Sequence, residues 1–374
     1  CLIWKGRLMA EPASTETQIP LQPVDKPILC SPYDEPGDHW LYDTASGTAQ
    51  KMAGRRAASY WYKVQRVSSQ QLSFLAEEER EDLPLVNALR EDVKRWRTGG
   101  YEGTTQVTKE LLQYWRRKDR PRRLFYCQLE AVETIIFLNE VRLRAKYLRF
   151  KPAFLDEYLE QLQDQPADQS LPALTRLGCK MATGAGKTVV MAMLIAWAFC
   201  NRGKVTSDER FPAGALVVCP NLTIKERLQV LRPEEPDNYY AAFDLVPARM
   251  RPLMQSGKVL VTNWHLFLPE SEHAEGGQTY QVVDKGEEGP DAFSQRVLGD
   301  LYDRAPIMVL NDEGHHAWRP NPYGAGNQVD KGELQTATIW VEGLDKINQA
   351  AGVRFCVDLS ATPFYISGSG YIEG

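Results

Sequence analysis

The sequence predicts an α/β protein: a parallel sheet with helices on both faces, preceded by an N-terminal helical and irregular region. Three observations predict it. Short β-branched runs recur in the second half of the chain, at LGCKM (177–181), ALVVC (215–219), KVLVTN (258–263), PIMVLND (306–312) and VRFCVDLS (353–360). Helical stretches separate several of them, at Thr188–Asn201, Leu222–Val230 and Gly343–Ala350. The strand runs are continuously apolar rather than alternating, as strands covered on both faces are.

Taken in order, residues 1–8 precede Met9 and read as a leader outside the fold. Residues 9–120 form the irregular and helical region, and 121–374 the strand–helix domain. Up to about Gly54 the chain is rich in Pro, Asp, Gly and Ser and predicts irregular surface segments. LPLVNALREDVKRWRTGG places Leu85, Leu89, Val93 and Trp96 on one helical face and stops at a Gly pair. VTKELLQYWRR predicts a second amphipathic helix and LFYCQLEAVETIIFLNEVRLRAKYL a long third one. DEYLEQLQDQPADQSLPA reads as a short helix and a surface loop. Two polar inserts, 273–292 and 319–333, interrupt the strand–helix alternation, and no internal repeat is visible.

Composition bounds the function. The 43% hydrophobic and 25% charged residues are those of an ordinary globular protein. The apolar run Thr188–Cys200 is too short to span a bilayer, so no membrane role is expected. Net charge is −5, yet Lys51 to Lys151 carries 22 Lys/Arg against 13 Asp/Glu. RRKDRPRR (116–123), and Arg142, Arg144, Lys146, Arg149 and Lys151, could hold phosphates or be solvated helix faces paired with acids. Seven scattered cysteines, odd in number and without a C-x-x-C pair, argue for a reducing, cytoplasmic compartment with neither disulfides nor zinc.

MATGAGKT (181–188) follows a strand and opens a helix, the setting in which a phosphate loop has meaning. Thr183, Gly184, Ala185 and Gly186 would curl the backbone around phosphates. Lys187 would reach the β- and γ-phosphates of ATP, and Thr188 would bind Mg²⁺. Met181 stands where the usual pattern has its first Gly. Asp312 and Glu313 end an apolar strand, where they would face that loop. Asp312 would hold Mg²⁺ and Glu313 would polarise water. His315 would link this site to a neighbouring strand. Gln128, beside Phe125 and Tyr126, has the geometry to read adenine while a ring stacks on the base. An ordinary helix start is the alternative. The turns at Pro220, Asn221 and Lys225, and at Asn263, could hold nucleic-acid phosphates or be simple caps. Ser360 and Thr362 either couple nucleotide state to movement or start a helix, with Thr362 as its cap. Asp92-Val93-Lys94, with Asp34 as a distant acid, loosely fits a nuclease signature. It lies on a helix where a strand is required, so no nuclease is assigned.

The elements, in this order over about 240 residues, resemble those of superfamily two helicases and translocases. MATGAGKT with NDEGHHAW and LSATPF is most similar to the ATPase subunit of type III restriction enzymes, and the resemblance runs from about Pro27 onward. It implies a RecA-like first motor lobe that uses ATP and Mg²⁺ to move along double-stranded DNA, with a DNA methyltransferase (modification) subunit as partner. By position it gives nucleotide roles to Gln128, Gly184, Gly186, Lys187, Thr188, Asp312, Glu313 and His315. It gives DNA contacts to Pro220, Asn221 and Asn263, and coupling to Ser360 and Thr362. Gly314 stands where many relatives have Ala, a mild change. The family's second lobe, with its arginine fingers, and its nuclease are expected beyond residue 374. A lobe without those arginines, typically worth about 10³–10⁵ in rate, is expected to hydrolyse ATP poorly. An RNA helicase or remodelling ATPase shares such a lobe, and a non-catalytic nucleotide-binding module is the remaining alternative.

Overall fold

The computed structural model describes residues 24, 26–43, 46–64, 77–141, 149–153, 160–166, 168–268, 288–319 and 331–361. Thr362, the leader at 1–8, Arg142, Arg144, Lys146 and most of both polar inserts lie outside the described residues. The chain falls into two compact units, Cys1–Arg56 and Ala57–Gly374. In the first, the region read as irregular holds an antiparallel hairpin, β1 (Asp38–Asp43) with β2 (Thr48–Ala53). Trp40, Leu41 and Tyr42 are a short β-favouring run masked by the surrounding Pro and Gly. Gly47 takes φ 67° in the connection, and Lys51 pairs with Asp38 across the strands at 2.9 Å.

The second unit opens with an antiparallel pair, β3 (Ser59–Val64) and β4 (Glu77–Asp82). Helix α1 (Pro84–Thr98) has Pro at its first position and buries Leu89, Val93 and Trp96, with Leu85 against the same core. Asp92 is fully buried and accepts from Ala153 N at 2.7 Å, a structural bond within the helix packing. Helix α2 (Gln106–Trp115) is capped by the Thr105 side chain, which accepts from Thr108 N. The long third helix is α3 (Tyr126–Ile136) followed by a π-helical turn at Phe137–Val141. That turn carries the buried Glu140, whose carboxylate accepts from Thr105 N (2.5 Å), Thr108 Oγ1 (2.7 Å) and Trp197 Nε1 (3.0 Å). A buried carboxylate needs such donors, and the wider turn coincides with its engagement by α2.

The remaining elements are β5 (Gln163–Asp164), β6 (Leu174–Lys180), α4 (Lys187–Lys204), β7 (Gly214–Cys219), α5 (Leu222–Leu228), α6 (Tyr239–Ala242), β8 (Lys258–Asn263), α7 (Pro290–Leu298), β9 (Ile307–Asp312), α8 (Lys331–Ala350) and β10 (Val353–Ser360). They build one six-stranded sheet in the order β5-β6-β10-β9-β7-β8. The five expected strands are parallel, and the two-residue β5 adds an antiparallel edge.

Strand residues alternate between two cores. Ala215, Val217, Met308, Leu310, Phe355 and Val357 face the core shared with α1 to α4. Leu216, Val218, Ile307, Val309 and Cys356 face the core made by α7 and α8. Helix α4 is buried from Val189 to Asn201 on every side, as a helix apolar all round must be. Helix α8 starts earlier than its apolar signal suggested, because its large core residues, Trp340, Val341, Leu344 and Ile347, begin midway along it and its first turns are polar. Pairing aligns Lys180 with Ser360, Leu359 with Asp312 and Cys219 with Asn263. The carboxyl ends of β6, β10, β9, β7 and β8 therefore lie along one edge, where ligands of open α/β sheets bind.

Candidate active site

The loop between β6 and α4 leaves the sheet at Met181, whose N–H donates to Ser360 O at 2.9 Å. Met181 is buried and continues the strand pairing, which accounts for a side chain at that position. Gly184 and Gly186 take φ 79° and 82°, in the left-handed region that favours glycine. Gly186 is the cap of α4, so the helix's first free N–H groups open onto the loop. Thr183 and Gly184 are exposed, while Ala185, Lys187 and Thr188 are half-buried.

Across the sheet edge, β9 ends at Asp312. Burial pushes its carboxyl above the usual range, and Lys187 pulls it partly back. Glu313 follows in a left-handed conformation, φ 51°, ψ 46°, which non-glycine residues rarely adopt. Its Oε1 pairs with Lys187 Nζ, joining the loop to the acidic turn across 126 positions of sequence. His315 Nδ1 lies 2.8 Å from Ser360 Oγ and 3.4 Å from Glu313 Oε2. Burial and the neighbouring His316 hold the His315 imidazole down to about 4, so the ring is neutral at pH 7. Ser360 thus touches both halves of the site, its carbonyl on the loop and its hydroxyl on the histidine.

Gln128 sits on the same loop. Its Oε1 accepts from Phe125 N at 2.9 Å and its Nε2 donates to Ala185 O at 3.0 Å. A Cβ on Gly186 would fall on that amide nitrogen. An amide oxygen has two lone pairs and an amide nitrogen two hydrogens, so these bonds leave one acceptor and one donor position. Phe125 is the half-buried cap of α3.

The other expected contacts lie further along the edge. Asn221 is exposed and caps α5, accepting from Ile224 N at 2.9 Å. Pro220 precedes it and Lys225 follows on α5, both half-buried. Asn263 ends β8, largely buried, beside Cys219 in the register. The structure thus brings Gln128, Lys187, Asp312, Glu313, His315 and Ser360 together at the ends of β6, β10 and β9, and places Asn221, Lys225 and Asn263 just beyond or at the ends of β7 and β8.

At least four of the six cations at 116–123 contact other groups of the protein. Arg116 bonds the buried Glu133 at 2.5 and 2.8 Å, and Arg117 lies over the Tyr114 ring at 4.0 Å. Arg120 donates to Phe243 O and Asp244 O, and Arg122 to Ala242 O. Arg116 and Arg120 thus satisfy a buried carboxylate and carbonyls of the fold, while Arg117 and Arg122 remain exposed.

Sequence reasoning missed a polar network beneath the acidic turn: Arg176, Asn311, Asp358, Asp164 and Arg319. Asp358 accepts from Arg176 Nε at 2.6 Å and from Asn311 Nδ2 at 2.7 Å. The signal was present as polar residues inside apolar strands, at Asn311 in PIMVLND and Asp358 in VRFCVDLS. Gly314 is also not a mild change. A Cβ there would lie 2.6 Å from Asp358 Cβ and 3.0 Å from its Cα, so alanine does not fit without displacing β10.

Among the described residues no helix is long and apolar enough to cross a membrane, and no His/Cys/Asp/Glu group could hold a metal by itself. A family model described as type III restriction enzyme, res subunit, matches residues 123–365, spanning α3 to the end of β10. No curated protein matches the chain.

Proposed function

We propose, since the chain belongs to the type III restriction enzyme res-subunit family and carries its RecA-like, helicase-superfamily ATPase domain, that it is an ATP-driven motor acting on double-stranded DNA in a restriction system. The observation that carries this reading is the meeting of Lys187 and Glu313 at the carboxyl edge of the sheet. A lysine at a phosphate loop and an acid able to orient water are two of the groups that phosphoryl transfer to water uses.

Lys187 would exchange Glu313 for the β- and γ-phosphate oxygens, leaving the carboxylate to orient the attacking water. The loop amides and the α4 N-terminus would hold the phosphates. The donor set fits Mg²⁺: the Thr188 hydroxyl and the Asp312 carboxylate are hard oxygen ligands, and a cation beside Asp312 offsets its burial. Thr188 and Asp312 would hold the ion, which supplies charge neutralisation at the phosphates. The free donor and acceptor positions of Gln128 match the N7 and N6 edge of adenine. His315, neutral at pH 7, would pass the state of the acidic turn to Ser360, with Thr362 completing the coupling.

Pro220, Asn221, Lys225 and Asn263 would hold DNA phosphates, and a modification methyltransferase would be the partner subunit. The test is ATP hydrolysis by the full-length protein with duplex DNA or single-stranded RNA of equal length. Stimulation by the duplex is expected. Stimulation by RNA alone would replace this reading with an RNA motor.

A further inference from the structure

We propose that Asp358, held by Arg176, is a positioning residue that fixes the turn carrying Asp312, Glu313 and His315, an inference that rests on the ATPase reading of that turn. Asp358 lies on β10 two residues before Ser360 and is buried. One carboxylate oxygen accepts from Asn311 Nδ2 at 2.7 Å, and the other from Arg176 Nε at 2.6 Å. Its Cα and Cβ pack against Gly314 so closely that a Cβ there would meet them at 3.0 and 2.6 Å. Arg176 donates also to Ala317 O, and to Asp164 Oδ2 at 2.9 Å.

One ion pair therefore grips the turn before it, at Asn311; within it, at Gly314; and after it, at Ala317. Asn311 is held from the far side as well, its Oδ1 accepting from Trp340 Nε1 at 3.2 Å. Asp164 extends the grip by binding Arg319, which pairs with Asp345 at 2.7 and 2.8 Å. Glu313 sits in the middle of this span in its left-handed conformation. Such a conformation persists only where the surroundings over-determine it, and these contacts do so. Alternate residues of β10 divide the labour: Cys356 and Asp358 meet Asn311, and Ser360 meets His315. The position of Glu313 relative to Lys187 is thus set from beneath by residues that need not touch nucleotide.

The contacts act on the acidic turn, whereas the phosphate loop and Lys187 carry most of the nucleotide affinity. Loss of the grip should therefore lower turnover and spare binding. The test uses the full-length protein with Asp358→Asn, Arg176→Lys and Gly314→Ala. Each is assayed for ATP hydrolysis per nucleotide-binding site, equilibrium binding of a fluorescent ATP analogue with Mg²⁺, and thermal unfolding. The expected result is a tenfold or greater loss of kcat, with the dissociation constant within threefold of wild type. Arg176→Lys, which keeps a cation beside Asp358, should retain more turnover than Asp358→Asn. A purely structural role would lower unfolding temperature while leaving kcat per binding site unchanged. That outcome, or a parallel loss of binding and turnover, overturns the proposal while leaving the ATPase reading intact. Full-length wild-type protein without ATP turnover overturns both.

Discussion

Glu313→Gln should tighten nucleotide binding while stopping turnover. In the structure Glu313 occupies Lys187, and both side chains are largely buried, at 28% and 13% exposure. A triphosphate that takes Lys187 must first break that pair. A hydrogen bond to a charged group is worth about 1.5–3 kcal/mol, and an exposed ion pair about 0–1. The partial exposure of Glu313 places this pair at about 1–2 kcal/mol, a factor of about 5–30 in a binding constant. Glutamine keeps the shape, weakens the hold on Lys187 and removes a negative charge beside the phosphates, so every contribution has the same sign. Titration with a fluorescent ATP analogue in the presence of Mg²⁺ should show affinity rising by about that factor. Hydrolysis in the same preparation should fall by at least about 10², the usual scale for losing a general base. Weaker binding of the variant, or wild-type turnover, would refute this account of Glu313.

The depressed His315 gives a pH prediction. The folded state holds it at about 4 against 6.5 ordinarily, so between those values the unfolded chain binds more protons. Stability is therefore fully present above pH 6.5 and is lost as pH falls towards 4, by about 2–3 kcal/mol. Urea unfolding of wild type and His315→Asn at pH 7 and pH 5 should show the larger drop in wild type; equal drops would contradict the shift. Gly186→Ala forces a side chain into φ 82° and onto Gln128, and should cost about 1–2 kcal/mol from the left-handed backbone. Fluorescent-nucleotide titration should show weaker binding, and unchanged affinity would mean that the loop adopts another shape. Trp197→Ala empties the centre of α4 and removes its bonds to Thr108 and Glu140. Denaturant unfolding should show a loss of about 3–5 kcal/mol, and a loss below 1 would show that the site collapses to fill the space.

The sheet was legible because β7, β8, β9 and β10 are nearly continuous buried runs, a pattern that neither a surface strand nor a loop produces, although β6 is only partly buried. The phosphate loop and acidic turn were legible for a related reason. Glycines, a lysine and paired acids at strand ends are unusual enough to mark a site before any contact is known. The hairpin at 38–53 was hidden because its β-favouring residues number only a few and sit among turn formers. The basic stretch at 116–123 was ambiguous, since a sequence shows charge but not the carbonyls and the Glu133 carboxylate that engage Arg116, Arg120 and Arg122. Gly314 needed the structure outright. Its requirement comes from Asp358, 44 positions away, and only the pairing of β9 with β10 brings them together.

The most direct test of the central claim, that Lys187 and the acidic turn form one nucleotide site, is the affinity of Lys187→Ala for Mg·ATP. Isothermal titration of the folded variant should show at least about a 10-fold loss relative to wild type, corresponding to about 1.4 kcal/mol or more from one charged contact. Wild-type affinity in that variant would mean that the lysine and its glutamate partner hold the fold together and bind no phosphate.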